Sequence, residues 1–168
     1  MLGRDYEGQN CSIARTLEVV GERWTMLIIR DALLGMHRFD EFRTSLGIAR
    51  NILTDRLNRL VDNGILERTR YQDAPPRWDY ILTDRGRELA TPILALMHWG
   101  DRHLAGRQGP PRLVRHAACG GDVIERHVCA RCGPIDGTEL RSEPGPGLNP
   151  AKARSGRRST RAATRSGG

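Results

Sequence analysis

Lysine is almost absent from this 168-residue chain: Lys152 is its one lysine among 27 basic residues. Positive charge is therefore carried almost wholly by arginine, whose planar guanidinium grips phosphate or guanine through two hydrogen bonds at once. That usage is compatible with nucleic-acid contact and equally with a GC-rich genome. Aromatic residues are also scarce, at 5%, and hydrophobic residues make up 38%, which provides a packed core without surplus. No apolar run approaches the ~18 residues that cross a bilayer. The start of the sequence, Met1-Leu2-Gly3-Arg4-Asp5-Tyr6, has no apolar stretch of the secretory kind. These absences point to a soluble, cytoplasmic protein with no membrane partner. Neither a Ser/His/Asp set, a phosphate-cradling glycine loop nor a carboxylate pair stands out, so an enzyme is not expected.

The net charge is +7, but it is unevenly placed. Residues 149–168 hold Lys152, Arg154, Arg157, Arg158, Arg161 and Arg165 and no acid, leaving 21 basic against 20 acidic residues in the first 148. The high isoelectric point thus belongs mostly to the tail, and a case for nucleic-acid binding rests on local placement. The tail is Gly-, Pro-, Ser- and Arg-rich with little to bury and reads as disordered.

Hydrophobic spacing divides the rest. Residues 1–10 read as a mobile lead-in. Ser12 is placed to cap a first helix running to Val20. A second apolar segment, 24–34, carries Trp24, Leu27, Ile28, Ala32 and Leu34 near helical spacing. A short third helix spans 38–44, with Phe39 and Phe42 on one side. A fourth covers 49–62, with Leu53, Leu57, Leu60 and Val61 as its seam, and stops at Asn63-Gly64, where glycine accepts the left-handed turn. Two strand-like runs, 65–71 and 77–82, flank a proline-stiffened tip, Asp73-Ala74-Pro75-Pro76. Thr83 should cap a long helix bent at Pro92. A linker follows at 106–112, then a Cys/His module at 113–148. The whole reads as a mainly helical α+β chain. Its domain at 11–105 is a winged helix-turn-helix with a two-stranded wing and a C-terminal dimerisation helix, and the Cys/His module resembles a zinc ribbon. Helix followed by an arginine-tipped hairpin is a plan that sets one helix in a DNA groove and a ribbon against the neighbouring backbone.

Residues 11–104 resemble the HxlR-type regulators, a branch of the MarR-like winged-helix proteins. The matching residues are Cys11 before a helix, Trp24 opening the next, Arg38-Phe39 with Glu41-Phe42, Leu53-Thr54-Arg56-Leu57 with Leu60, Gly64-Ile65-Leu66, Pro75-Pro76-Arg77 with Asp79-Tyr80, Leu82-Thr83 with Gly86, and Trp99. The resemblance implies a homodimeric transcriptional regulator, a repressor by preference, on double-stranded palindromic operator DNA, with no cofactor for the DNA-binding domain. The small-molecule inducer is not legible. Ala49 departs from the family's frequent serine cap, Asp79 replaces a common glutamate, and the Cys/His module and tail lie outside the shared core.

With its leucines inward, the fourth helix turns Arg50, Asn51, Thr54 and Asn58 outward. Arg50 suits guanine O6/N7, Asn51 adenine N6/N7, and Thr54 a thymine methyl. Arg56 and Arg59 flank that face as phosphate candidates, joined by Arg38, Arg70 and Arg77. Leu89, Ile93, Leu96 and Met97 form a stripe that packs either on its own domain or on a second copy. Cys11 at a helix start is a candidate redox sensor through the helix dipole, or a small buried apolar residue.

His116, Cys119, Cys129 and Cys132 form an H-x2-C-x9-C-x2-C pattern. Two tight pairs, each followed by glycine, suit a tetrahedral structural zinc, with Val123, Ile124 and Val128 between them as a small hairpin. The alternatives are a Cys129–Cys132 redox pair or unrelated residues. Two further functions stay open: a redox or metal sensor whose Cys11 or Cys/His module controls DNA binding, and a zinc-ribbon protein-interaction factor.

Overall fold

Leu53, Leu57 and Leu60 are the sequence's strongest helical repeat, and the fold is assembled around them. The computed structural model describes Tyr6 and residues 9–147. Most of the expected lead-in and the whole basic tail at 149–168 lie outside the described residues. The described chain divides into two compact units: Ser12–Val123, and residues 124–147 with 9–11.

In the first unit, α1 (Ser12–Val20), α2 (Thr25–Leu33), α3 (Phe39–Leu46) and α4 (Arg50–Asp62) precede an antiparallel wing of β1 (Leu66–Gln72) and β2 (Arg77–Leu82). The core joins Val20, Ile28, Ile29, Phe42, Ile48, Leu53, Leu57, Leu60, Ile65, Leu66, Tyr80 and Leu82. Leu53 and Leu57 are fully buried, so α4 has a fixed inner face. Burying each leucine contributes about 1.5–3 kcal/mol. Gly47 closes α3 at φ 60°, which glycine reaches without a Cβ penalty.

Four local expectations are corrected. Ser12 does not cap α1; the helix begins with it, and its carbonyl accepts the Thr16 hydroxyl at 2.9 Å. The inner stripe of α2 is Thr25, Ile28 and Ile29, while Leu27 and Leu34 stay exposed, because α2 packs on α3, β2 and a later helix rather than on one partner. The long helix after Thr83 is two: α5 (Asp84–Arg87) and α6 (Ala90–Leu104). Pro92 lies in the first turn of α6, where its missing N–H costs nothing. Its ring would meet the carbonyl four residues back, so the break falls upstream at Glu88–Leu89 instead of as a bend within the helix. In the second unit, the hairpin is β3 (His127–Cys129) with β4 (Gly133–Ile135), closing on Cys129–Gly133, while Ile124 and Val128 remain exposed. Val123 instead donates its N–H to Val114 at 3.2 Å within the first unit.

Two joints fix the wing to the helices. Thr83 Oγ1 accepts the Gly86 N–H at 3.0 Å and donates to the Gly64 carbonyl at 2.7 Å. Here α5 comes so close to the end of α4 that a Cβ on Gly86 would sit 2.2 Å from the Ile65 carbonyl oxygen. On the other edge, Tyr80 donates its N–H to His37 at 2.7 Å, and Arg38 bridges to Asp79 beside it. The segment leading into α3 is thus stitched to β2.

We expect Gly86→Ala to lower the unfolding free energy by about 1–3 kcal/mol, since backbone must move to admit the methyl. Ala49 caps α4 in extended conformation without a side-chain acceptor. Ala49→Ser should therefore raise stability by about 1 kcal/mol. Urea unfolding of both variants checks the two signs.

Candidate nucleic-acid interface

The outer side of α4 follows from its inner one. Arg50, Asn51, Thr54 and Asn58 are all exposed, and Asn51 stands one residue into the helix with nothing of the core over it. Thr54 donates its hydroxyl to the Arg50 carbonyl at 2.9 Å, which restrains its side chain. Arg50 leans toward α3: its guanidinium lies 5.1 Å from the Phe39 ring and 3.9 Å from Asp40, with the side chain 68% exposed.

α3 is held at the matching height by its own first turn. Glu41 Oε2 accepts the backbone N–H groups of His37 and Arg38, each at 2.9 Å. Those two N–H groups hold the Glu41 carboxyl below the usual carboxylate range. Arg38 then projects between Asp79, at 3.6 Å, and the Tyr71 ring, at 5.0 Å.

The wing supplies the opposite wall. Its register slips between Arg70 and Gln72, leaving Tyr71 as the extra residue of a bulge. A bulge turns its side chain out of the strand's alternation. Arg68 and Arg70 stand 4.9 and 5.9 Å from the Trp78 ring, so their charge is partly stacked. Arg70 is further tied down at the tip, donating to the Asp73 carbonyl at 2.8 Å and pairing with its carboxylate at 3.1 Å. Between α3, the start of α4 and the wing lies a cavity of about 620 Å³, with Arg38, Arg50, Thr54 and Arg77 on its rim and walls.

Of the nine sequence-predicted positions, those four converge there, while Asn51 and Asn58 continue the exposed line along α4. Arg56 and Arg59 turn the other way. Arg56 is 15% exposed, pairs with Glu22 at 2.9 Å and with Asp55, and donates to the Arg23 carbonyl at 3.3 Å. Arg59 reaches Glu22 at 3.4 Å. Both brace α4 against the loop between α1 and α2. Sequence reading missed the aromatic walls, Phe39, Tyr71 and Trp78. Their signal was faint: each is adjacent to an arginine or one step from it in a chain that has few aromatics.

All four cysteines are thiols, and Cys129 is the least exposed. In the first unit, His116 Nδ1 lies 3.1 Å from Cys119 Sγ, in a turn closed by the Gly120 N–H to the His116 carbonyl at 2.8 Å. In the second, the Arg131 N–H donates to Cys129 Sγ at 3.5 Å. The Arg131 and Cys132 amides, and then the Cys132 thiol, hold the Cys129 thiol below its ordinary range. Among the described residues, no group of three or more His, Cys, Asp or Glu side chains gathers tightly enough to hold a metal ion. Nor, among them, is any helix long and apolar enough to cross a membrane.

Comparison with known proteins agrees with the fold. An HTH-type transcriptional regulator of Mycobacterium tuberculosis, itself uncharacterised, is 43% identical over 148 residues, covering 88% of this chain and 92% of its own. A proposed transcription factor from Pseudomonas aeruginosa, PA1374, superposes with a TM-score of 0.62 at 39% identity, over 86% of this chain and 99% of that one. The crystal structure of PA1607, another proposed transcription factor, gives 0.71 at 33% identity, over 79% and 94%. The redox regulator HypR in its oxidised form gives 0.52 at 33% identity, over 57% of this chain and 100% of that one. Residues 19–108 match the HxlR-like helix-turn-helix family, and the chain belongs to it.

Proposed function

We propose that this HxlR-like transcriptional regulator reads a palindromic operator as a homodimer and represses from it, acting in the cytoplasm and not as an enzyme. The observation that carries the reading is the exposed line Arg50, Asn51, Thr54 at the start of a helix whose other face is sealed by leucine. Residues at the N-terminal end of such a helix reach base edges, and the two half-sites of a dimer lie about one helical turn, ~34 Å, apart. Arg38 and Arg77 are assigned to phosphate, which fixes register. Arg56 and Arg59 would have to leave Glu22 to join them, so we assign them the bracing of α4.

The second copy is assigned to α6. Leu89 and Ile93 pack on the core of their own domain, whereas Leu96, Trp99 and Leu104 are 60%, 52% and 74% exposed. Ile13 on α1 is 70% exposed as well. Of the expected stripe, Leu89 and Ile93 support the domain, Met97 is half-buried and Leu96 is exposed; we assign the end of α6 carrying Leu96, Trp99 and Leu104 to a two-fold partner, which meets the same patch on itself.

Selection of bound duplexes from a random pool should return inverted half-sites. Against the selected duplex, Arg50→Ala and Asn51→Ala should each weaken binding about 5- to 150-fold and relax preference at one base pair. Unchanged affinity in both variants would favour the protein-interaction reading. Trp99→Glu should give a monomer in sedimentation and lose about 30-fold in operator affinity.

We also carry zinc forward as a proposal. Each pair by itself has the form of half a knuckle: a His–Cys turn ending in glycine, and a Cys-x2-Cys hairpin whose amides point at sulfur. Four such donors suit tetrahedral zinc. The purified protein should carry about one zinc per chain and lose it in Cys129→Ser/Cys132→Ser; metal-free wild type would end the proposal.

A redox reading has one supporting observation, an exposed Cys11 immediately before α1, together with the likeness to HypR. If it holds, diamide lowers operator affinity in wild type and not in Cys11→Ser.

A further inference from the structure

His37 stands where the lead into α3 is stitched to the wing, and its two ring nitrogens meet different surroundings. Nδ1 lies 3.1 Å from the Gly35 carbonyl oxygen. A carbonyl only accepts, so Nδ1 carries the hydrogen. In the neutral ring Nε2 is then a bare acceptor, and it faces another acceptor, Asp79 Oδ1, at 3.9 Å. That oxygen is buried and, among the described residues, has no hydrogen-bond partner. Arg38 Nε approaches the same oxygen and stops at 3.6 Å. A buried acceptor left open is destabilising. Two side chains, His37 and Arg38, stand within reach of supplying its missing donor.

The other charged groups around His37 are already engaged. On α3, Glu41 Oε2 lies 3.9 Å from Nδ1 and accepts the backbone N–H groups of His37 and Arg38, which hold it ionised. On β2, Asp79 faces Nε2, and the Tyr80 N–H fixes the His37 carbonyl at 2.7 Å. On α2, Asp31 is paired with Arg30 at 2.7 Å. On α5, Arg87 shares a cavity wall with His37, but its guanidinium is taken by the Leu82 carbonyl and Asp84. The imidazole therefore sits between two carboxylates, with Arg38 as its rival for one of them.

We infer that His37 is a positioning residue for DNA binding, which on protonation takes Asp79 from Arg38 and releases Arg38 to the operator. The imidazolium gains an Nε2–H that closes on Asp79 Oδ1 by side-chain rotation, with the backbone held by the Tyr80 hydrogen bond. Asp79 is then satisfied, and Arg38, 54% exposed, is free to reach phosphate. In the neutral state Asp79 retains Arg38. Operator binding tightens as pH falls through the range in which histidine gains its charge. The consequence for DNA rests on the phosphate role given to Arg38 above; the exchange of Asp79 between two donors does not.

Two measurements on the full chain test the exchange and its consequence separately. Nuclear magnetic resonance of the free protein with isotope-labelled histidine should show His37 as the Nδ1–H tautomer in alkaline buffer. In acid it should show an Nε2–H shielded from solvent exchange in wild type and not in Asp79→Asn. An Nε2–H tautomer in the neutral ring, or equal exchange in both proteins, would overturn the exchange. For a duplex selected by the protein, the ratio of Kd at about pH 8 to Kd at about pH 6 should be about two- to fivefold larger in wild type than in His37→Asn. The asparagine amide keeps the Gly35 contact and carries no charge. Asp79→Asn should lose the same share of the pH dependence while binding tightly at both values, and Arg38→Ala should lose it while binding weakly at both. Equal pH dependence in wild type and His37→Asn would overturn the proposal. So would a His37 effect that survives in Asp79→Asn, since that is added charge near DNA and not an exchange of partners. Wild-type affinity of Arg38→Ala at both values would sink the phosphate reading of Arg38 and leave the exchange to the resonance result.

Discussion

One packed face decides the rest of the first unit. Leu53, Leu57 and Leu60 on α4 are sealed by the core, and because a helix is rigid, sealing one side orients the other. Arg50, Asn51 and Thr54 are outward for that reason and not through contacts of their own. The same core holds Ile65, Leu66, Tyr80 and Leu82, so the wing inherits its position from the helix beside it. Local joints then remove the remaining freedom: the Thr83 hydroxyl against the end of α4, Gly86 against the Ile65 carbonyl, and the His37–Tyr80 hydrogen bond on the far edge.

Electrostatics divides the arginines into two populations. Arg56 and Arg59 meet Glu22 and brace the helix from behind. Arg38, Arg50 and Arg77 surround the cavity on the opposite side. Exposed pairs of this sort contribute little stability, about 0–1 kcal/mol each. Their value is in placement, since each acid settles where a long flexible side chain rests. Asp40 and Asp79 do this at the interface itself, steering Arg50 and Arg38 toward aromatic rings without closing on them.

What was legible in the sequence followed from periodicity. The α4 seam, the Asn63-Gly64 stop and the β2 alternation are local patterns, and they placed the helix and wing to within a residue or two. Partners far apart in the chain left no such mark. Glu22 lies 34 residues from Arg56, and nothing near either announces the pairing. The aromatic walls come from α3, a bulge on β1 and β2, so no window of sequence contains them. The α5–α6 break was misread as a bend because Thr83 and Pro92 are each compatible with one long helix. Only the close packing at Gly86 and the position of Pro92 in a first turn separate the two.

Hydroxyl-radical footprinting on a duplex selected by the protein tests the central claim most directly. The account predicts two protected patches on one face of the duplex, their centres about one helical turn apart, with flanking protection from the wings that disappears in Arg77→Ala. Uniform protection along the duplex, or a single patch unaffected by that substitution, would contradict it.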